Sequence, residues 1–145
     1  MTNKSLDQAF ELIKHEAELG NINAMYDLGW LMYHEGIGVS TDNDKALEWL
    51  SKAANLGHIE AKFKLSYMYN QGIGTPIDTH KSFQWILELA EEGHSYAQYK
   101  LGLFYLNGYG INKDLEQALN WISQAAKQGN IEAYNFLSKH SNHNV

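Results

Sequence analysis

The chain has no cysteine and one proline among 145 residues. Without thiols there is no disulfide framework, no thiolate metal site and no cysteine nucleophile. The lone proline, Pro76, falls in a loop, where it interrupts no helix. No apolar run approaches the roughly 20 residues of a membrane span. The opening MTNKSLDQAF lacks the apolar core of a signal peptide, so a soluble cytoplasmic protein is expected. No window is strongly basic, and 17 acidic against 11 basic side chains give a net charge of −6. Nucleic acid, which needs a clustered positive face, is therefore disfavoured, whereas a basic protein partner is allowed. Catalytic signatures are missing as well: there is no Gly-x-Ser-x-Gly, no Ser-x-x-Lys, no His-Glu-x-x-His and no glycine-rich lysine loop. No cofactor, metal or catalytic residue is expected.

What the sequence does have is a period. Gly36, Gly72 and Gly108 are 36 residues apart, as are Gly38, Gly74 and Gly110, Asp42, Asp78 and Asp114, and Trp49, Trp85 and Trp121. Gly20, Gly57, Gly93 and Gly129 follow at spacings of 37, 36 and 36. A fixed period of this size marks stacked structural repeats. The spacing predicts half a repeat over 5–20, full repeats over 21–56, 57–92 and 93–128, half a repeat over 129–140 and a frayed tail over 141–145, all in one domain.

Each repeat reads as two helices. First helices are predicted at 21–35, 58–71 and 94–107, with Ala24/Leu28, Ala61/Leu65 and Ala97/Leu101 on one face and Gly29, Ser66 or Gly102 admitting a close neighbour. Second helices are predicted at 43–56, 79–92 and 115–128, capped by Asp42, Asp78 and Asp114. Their Trp49, Trp85 and Trp121 are expected in the core. An opening helix over 5–19 starts on a Ser5/Gln8 capping box and carries an apolar stripe of Ala9, Leu12, Ile13 and Ala17; a closing one covers 131–140. The Gly-x-Gly loops are expected to use positive φ rather than to bind a dinucleotide, since the third glycine is missing and a helix precedes them. The first repeat carries one extra residue, placed at 33–35, so that Met32 rather than Tyr33 matches Tyr69 and Tyr105. His58 and His94 share a repeat position with Asn21 and Asn130, which reads as a helix start rather than a metal ligand.

The pattern Ala-x-x-x-Leu-Gly-x-x-Tyr, Gly-x-Gly, Asp, Ala-x-x-Trp, Ala-Ala and Gly resembles the Sel-one-like repeat family, relatives of the tetratricopeptide repeat, over about residues 5–140. The resemblance implies an all-α, right-handed solenoid of antiparallel helix pairs, about eight helices in all, often bacterial and acting as a non-enzymatic interaction scaffold. Unlike some relatives, this chain has no disulfide in each repeat. Solenoids bind on their concave face. With Leu28, Leu65 and Leu101 aligned on the leucine of a tetratricopeptide first helix, the resemblance implies an inner face of Asn23, Tyr26, Trp30 and His34, then Glu60, Phe63, Tyr67 and Gln71, then Tyr96, Tyr99, Leu103 and Asn107. Six of these twelve are aromatic, the type favoured at binding hot spots. Tyr26, Phe63 and Tyr99 also suit packing between repeats, and Asp27, Lys64 and Lys100 flank the face as solvated charges. The expected partner is a protein or peptide, and the acidic net charge allows it to be basic. Narrower or rival readings are an immunity or antitoxin-type protein that neutralises a toxin, a penicillin-binding hydrolase, which the missing Ser-x-x-Lys opposes, and a monomer that pairs weakly into dimers.

Overall fold

A computed structural model describes residues 3–34 and 41–141. Among them are eight helices and no strand: α1 Asn3–Glu18, α2 Ile22–Tyr33, α3 Asn43–Asn55, α4 Ile59–Gln71, α5 Thr79–Glu91, α6 Ser95–Asn107, α7 Leu115–Lys127 and α8 Ile131–Ser141. The chain divides into two compact units, Met1–Asp78 and Thr79–Val145. In the first, α1 packs on α2, α2 on α3 and α3 on α4; in the second, α5 packs on α6, α6 on α7 and α7 on α8. Each unit is thus a stack of helical hairpins, the local packing of an all-α solenoid.

The turns explain the helix-ending glycines. After α3 the Gly57 N–H donates to the Ala54 carbonyl at 2.9 Å and the His58 N–H to Ala53 at 3.0 Å. The same pair of bonds follows α1, α5 and α7, through Gly20, Gly93 and Gly129. This arrangement satisfies orphan carbonyls at the helix end and needs a residue with positive φ, here +94° at Gly57. The next residue caps the following helix. Asn21 Oδ1, His58 Nδ1 and Asn130 Oδ1 accept from the N–H three residues on, at 3.1, 3.2 and 2.8 Å. Asn and His alternate there because each offers an acceptor at the same reach. His94 makes no such bond and lies 3.7 Å from the Glu92 carboxylate instead.

The long loops work differently. Gly72 and Gly108 end α4 and α6 in the left-handed conformation. Two residues later, Gly74 approaches the Asn43 carbonyl and Gly110 the Thr79 carbonyl so closely that a Cβ on either glycine would collide with that backbone. Each Gly-x-Gly therefore ends a helix and seats its loop on the start of the helix 31 residues earlier (74 − 43; 110 − 79). Gly36 and Gly38 lie outside the described residues, as do Glu35 and positions 142–145. The Asp42, Asp78 and Asp114 N–H groups donate to Met32, Tyr69 and Tyr105 at 2.8, 2.9 and 3.0 Å, so Met32 does occupy the repeat position of the two tyrosines. Asp42 and Asp114 also accept from the Lys45 and Gln117 N–H groups at 3.0 Å, the predicted N-caps. Asp114→Ala is expected to cost about 1 kcal/mol, read from a urea titration, with Asp114→Asn close to wild type.

Three sequence expectations need correction. Helix α1 begins at Asn3, so Ser5 lies inside it rather than capping it. Of its apolar stripe only Ala17 is buried; Ile13 is half-buried, while Ala9 and Leu12 stay exposed. Helix α2 ends at Tyr33, and its C-cap His34 is extended, because the next position in register is Glu35 rather than the glycine found after α4 and α6. Trp49, Trp85 and Trp121 are half-buried, not core; the buried side chain is the next residue, Leu50, Ile86 or Ile122. One residue is a 100° step around a helix, enough to turn the tryptophan to the flank of the hairpin.

Candidate functional site

In the first unit α2 and α4 present aromatic side chains four residues apart, Tyr26 with Trp30 and Phe63 with Tyr67, so each pair shares a helix face. Between the helices runs an open groove of about 350 Å3 lined by Tyr26, Glu60, Phe63, Lys64 and Tyr67. Trp30 and Tyr67 are 38% and 49% exposed, large apolar surfaces left in water. The Trp30 ring lies 6.4 Å from Tyr26 and 3.8 Å from His34. His34 is held on its other side by Tyr33, edge-on at 4.9 Å, and its buried Nε2 has no hydrogen-bond partner. His34, the extended C-cap of α2, thus lies against the last turn of its own helix.

Two side chains outside the expected set organise the groove. Lys64 Nζ sits 3.6 Å from the Tyr33 ring centroid, 5.0 Å from Trp30 and 5.5 Å from Tyr67. It is not the solvated flank charge anticipated from its position; burial lowers its pKa from the usual 10.5 by penalising the charged form. His58 stacks on Tyr26 with centroids 4.4 Å apart and planes 15° apart. Its Nδ1, which accepts the α4 capping bond, is also 3.4 Å from the Glu60 carboxylate. Tyr26 has its pKa raised from 10.0, first by burial and then by the nearby Glu60 and Asp27 carboxylates. Sequence spacing could have flagged Lys64, three residues before Tyr67, and Tyr33, three after Trp30, but not which way their side chains turn.

The remaining expected residues are dispersed. Asn23 lines a second groove, of about 540 Å3, at the starts of α2 and α4, where Glu60 also contributes. Gln71 is exposed at the end of α4 and lines neither groove. In the second unit Tyr96 is 48% exposed beneath Lys100, whose Nζ is 5.4 Å from its ring. Tyr99 packs against the buried cluster of Ile122, Ala125 and Ala133, a core contact rather than a free surface. Leu103 is half-buried, and its carbonyl accepts from the exposed Asn107 amide at 2.9 Å. Among the described residues no three His, Asp or Glu side chains converge to hold a metal ion. No helix there is long and apolar enough to cross a membrane.

Comparison with known proteins supplies the rest. The Sel1 repeat matches residues 22–58, 59–94 and 95–130. A protective antigen of uropathogenic Escherichia coli displaying an SLR fold superposes with TM-score 0.82 at 36% identity, over 91% of this chain and 28% of the antigen. A Sel1 repeat protein from Oxalobacter formigenes gives TM-score 0.77 at 35% identity, over 91% of this chain and 98% of that one. The ERAD-associated E3 ubiquitin-protein ligase component HRD3A of Arabidopsis thaliana is 42% identical over 52 residues, which are 35% of this chain. Its companion HRD3B is 41% identical over 59 residues. The matched stretches span only 8% and 10% of these two plant proteins. Three consecutive matches that cover most of the sequence, on a fold shared with solved repeat proteins, show that the chain belongs to the Sel1 repeat family.

Proposed function

We propose that the protein is a non-enzymatic interaction module that holds a partner protein or peptide on the inner face of its repeats, centred on the α2–α4 groove. Sel1 repeat proteins are generally protein-interaction scaffolds. The plant relatives are named as components of a ligase assembly, which fits the same kind of role. The observation that carries the reading is the exposure of Trp30 and Tyr67 beside a groove walled by Tyr26 and Phe63. Rigid aromatics at a groove edge bury much area on binding at little entropic cost. We place this activity in the cytoplasm as part of the same proposal.

Affinity capture from the native cell, with wild-type protein and with a Trp30→Ala/Tyr67→Ala form side by side, tests the reading. Each truncation at a hot spot weakens binding by about 2 kcal/mol or more, so recovery of the dominant partner should fall at least about tenfold. Both side chains are largely outside the core, and the double variant should melt within a few degrees of wild type. Equal recovery with both forms would sink the proposal.

A further inference from the structure

We propose that the α2–α4 groove recognises an acidic segment of its partner, in which an Asp or Glu seats its carboxylate on the Lys64 ammonium while an adjacent apolar side chain lies against Phe63 and Tyr67. This rests on the protein-binding reading and specifies its chemistry. Three rings fix Lys64 Nζ at the groove, with centroids 3.6, 5.0 and 5.5 Å away. Ring faces hold the cation by their quadrupoles but supply no formal counter-charge. Among the described residues no carboxylate forms an ion pair with Lys64. Glu60, four residues earlier and the natural helical partner, is turned instead towards His58, 3.4 Å away. The Lys64 pKa is lowered by burial, which penalises its charged form. A positioned, partly desolvated cation beside apolar walls is complementary to a single carboxylate next to an apolar group. In the second unit Lys100, 36 residues after Lys64, lies 5.4 Å from the single ring of Tyr96, which stands in the register position of Glu60.

Other anions fit less well. Glu60 on the groove wall repels a chain of phosphates, and the −6 net charge repels any polyanion at long range. That net charge steers encounter over distances near the Debye length, about 8 Å in physiological salt, whereas Lys64 acts in direct contact. The contact chemistry is therefore the reverse of the basic partner that the overall charge suggests.

Selection of a random peptide library displayed on phage against the full chain tests the proposal. Enriched sequences should carry Asp or Glu beside an aliphatic or aromatic residue. As soluble peptides with blocked ends they should bind Lys64→Met at least about tenfold more weakly than wild type, and Lys64→Arg within about threefold. Selection on Lys64→Glu should favour Lys or Arg in place of the acid. Thermal melts within a few degrees of wild type establish that each variant is folded. Peptides that need Trp30 and Tyr67 but show no acidic preference, or that bind Lys64→Met unchanged, overturn this inference and leave the protein-binding reading standing. Peptides that bind the Trp30→Ala/Tyr67→Ala form unchanged overturn both. A library that yields no enriched sequence also overturns this inference, and the capture experiment then judges the broader reading.

Discussion

Gly110→Ala is expected to lower the unfolding free energy by about 3 kcal/mol, one of the largest effects of any single methyl group in this chain. Two costs add. Gly110 has φ +69°, which an L-residue enters at about 1 kcal/mol or more. Its added Cβ would also meet the Thr79 carbonyl and the His80 nitrogen, which are backbone atoms at the start of α5 and cannot rotate aside as a side chain would. The loop must lift from the helix, and the contact between His80 Nδ1 and the Gly110 carbonyl at 3.2 Å is lost with it. Gly129→Ala is the control: φ is +88° there, but nothing lies within 4 Å of the added atom. That variant should lose only the conformational part, about 1–2 kcal/mol. Urea titration followed by circular dichroism compares the two. Equal losses would mean that the loop gives way freely and that the second glycine of Gly-x-Gly is only a turn residue.

Ile122→Ala should cost about 3–4 kcal/mol. Ile122 is fully buried and packs with Ala125 and Ala133 under Tyr99, Phe136 and Leu137, so one truncation opens a cavity where α6, α7 and α8 meet. Gly102 sharpens the effect. A Cβ at that position would collide with the Ile122 side chain and lie 2.9 Å from the Ala118 carbonyl, so α6 and α7 already pack closely there and have little room to settle into the gap. Leu119→Ala, three residues earlier on α7 and 39% exposed, should cost under about 1 kcal/mol. Against a typical total of about 5–15 kcal/mol, either Gly110→Ala or Ile122→Ala removes a large share of the stability. Comparable losses for Ile122→Ala and Leu119→Ala would contradict the burial pattern.

The same two positions show why so much of the fold was legible. The 36-residue register of Gly, Asp and Ala-x-x-x-Leu placed each helix from α2 to α8 within about two residues of its observed ends. Those residues have local jobs: positive φ, an N-cap, a small side chain at a crossing. Local jobs are read from residue type and spacing. Trp49, Trp85 and Trp121 mislead because periodicity reports that a position is used in every repeat, not how deep it lies. Leu12 misleads because an apolar stripe reports a face without reporting whether a second helix covers it.

By itself, the sequence determined the repeat, the order of the helices and the residues that turn and cap them, because each follows from short-range chemistry copied every 36 residues. Tertiary structure alone decided that Lys64 stands among Tyr33, Trp30 and Tyr67 while Glu60 turns to His58, and that the half-buried Tyr99 packs against the buried Ile122 cluster. Rotamers on adjacent helices settle those contacts by competing for the same space, and that competition leaves no periodic trace along the chain.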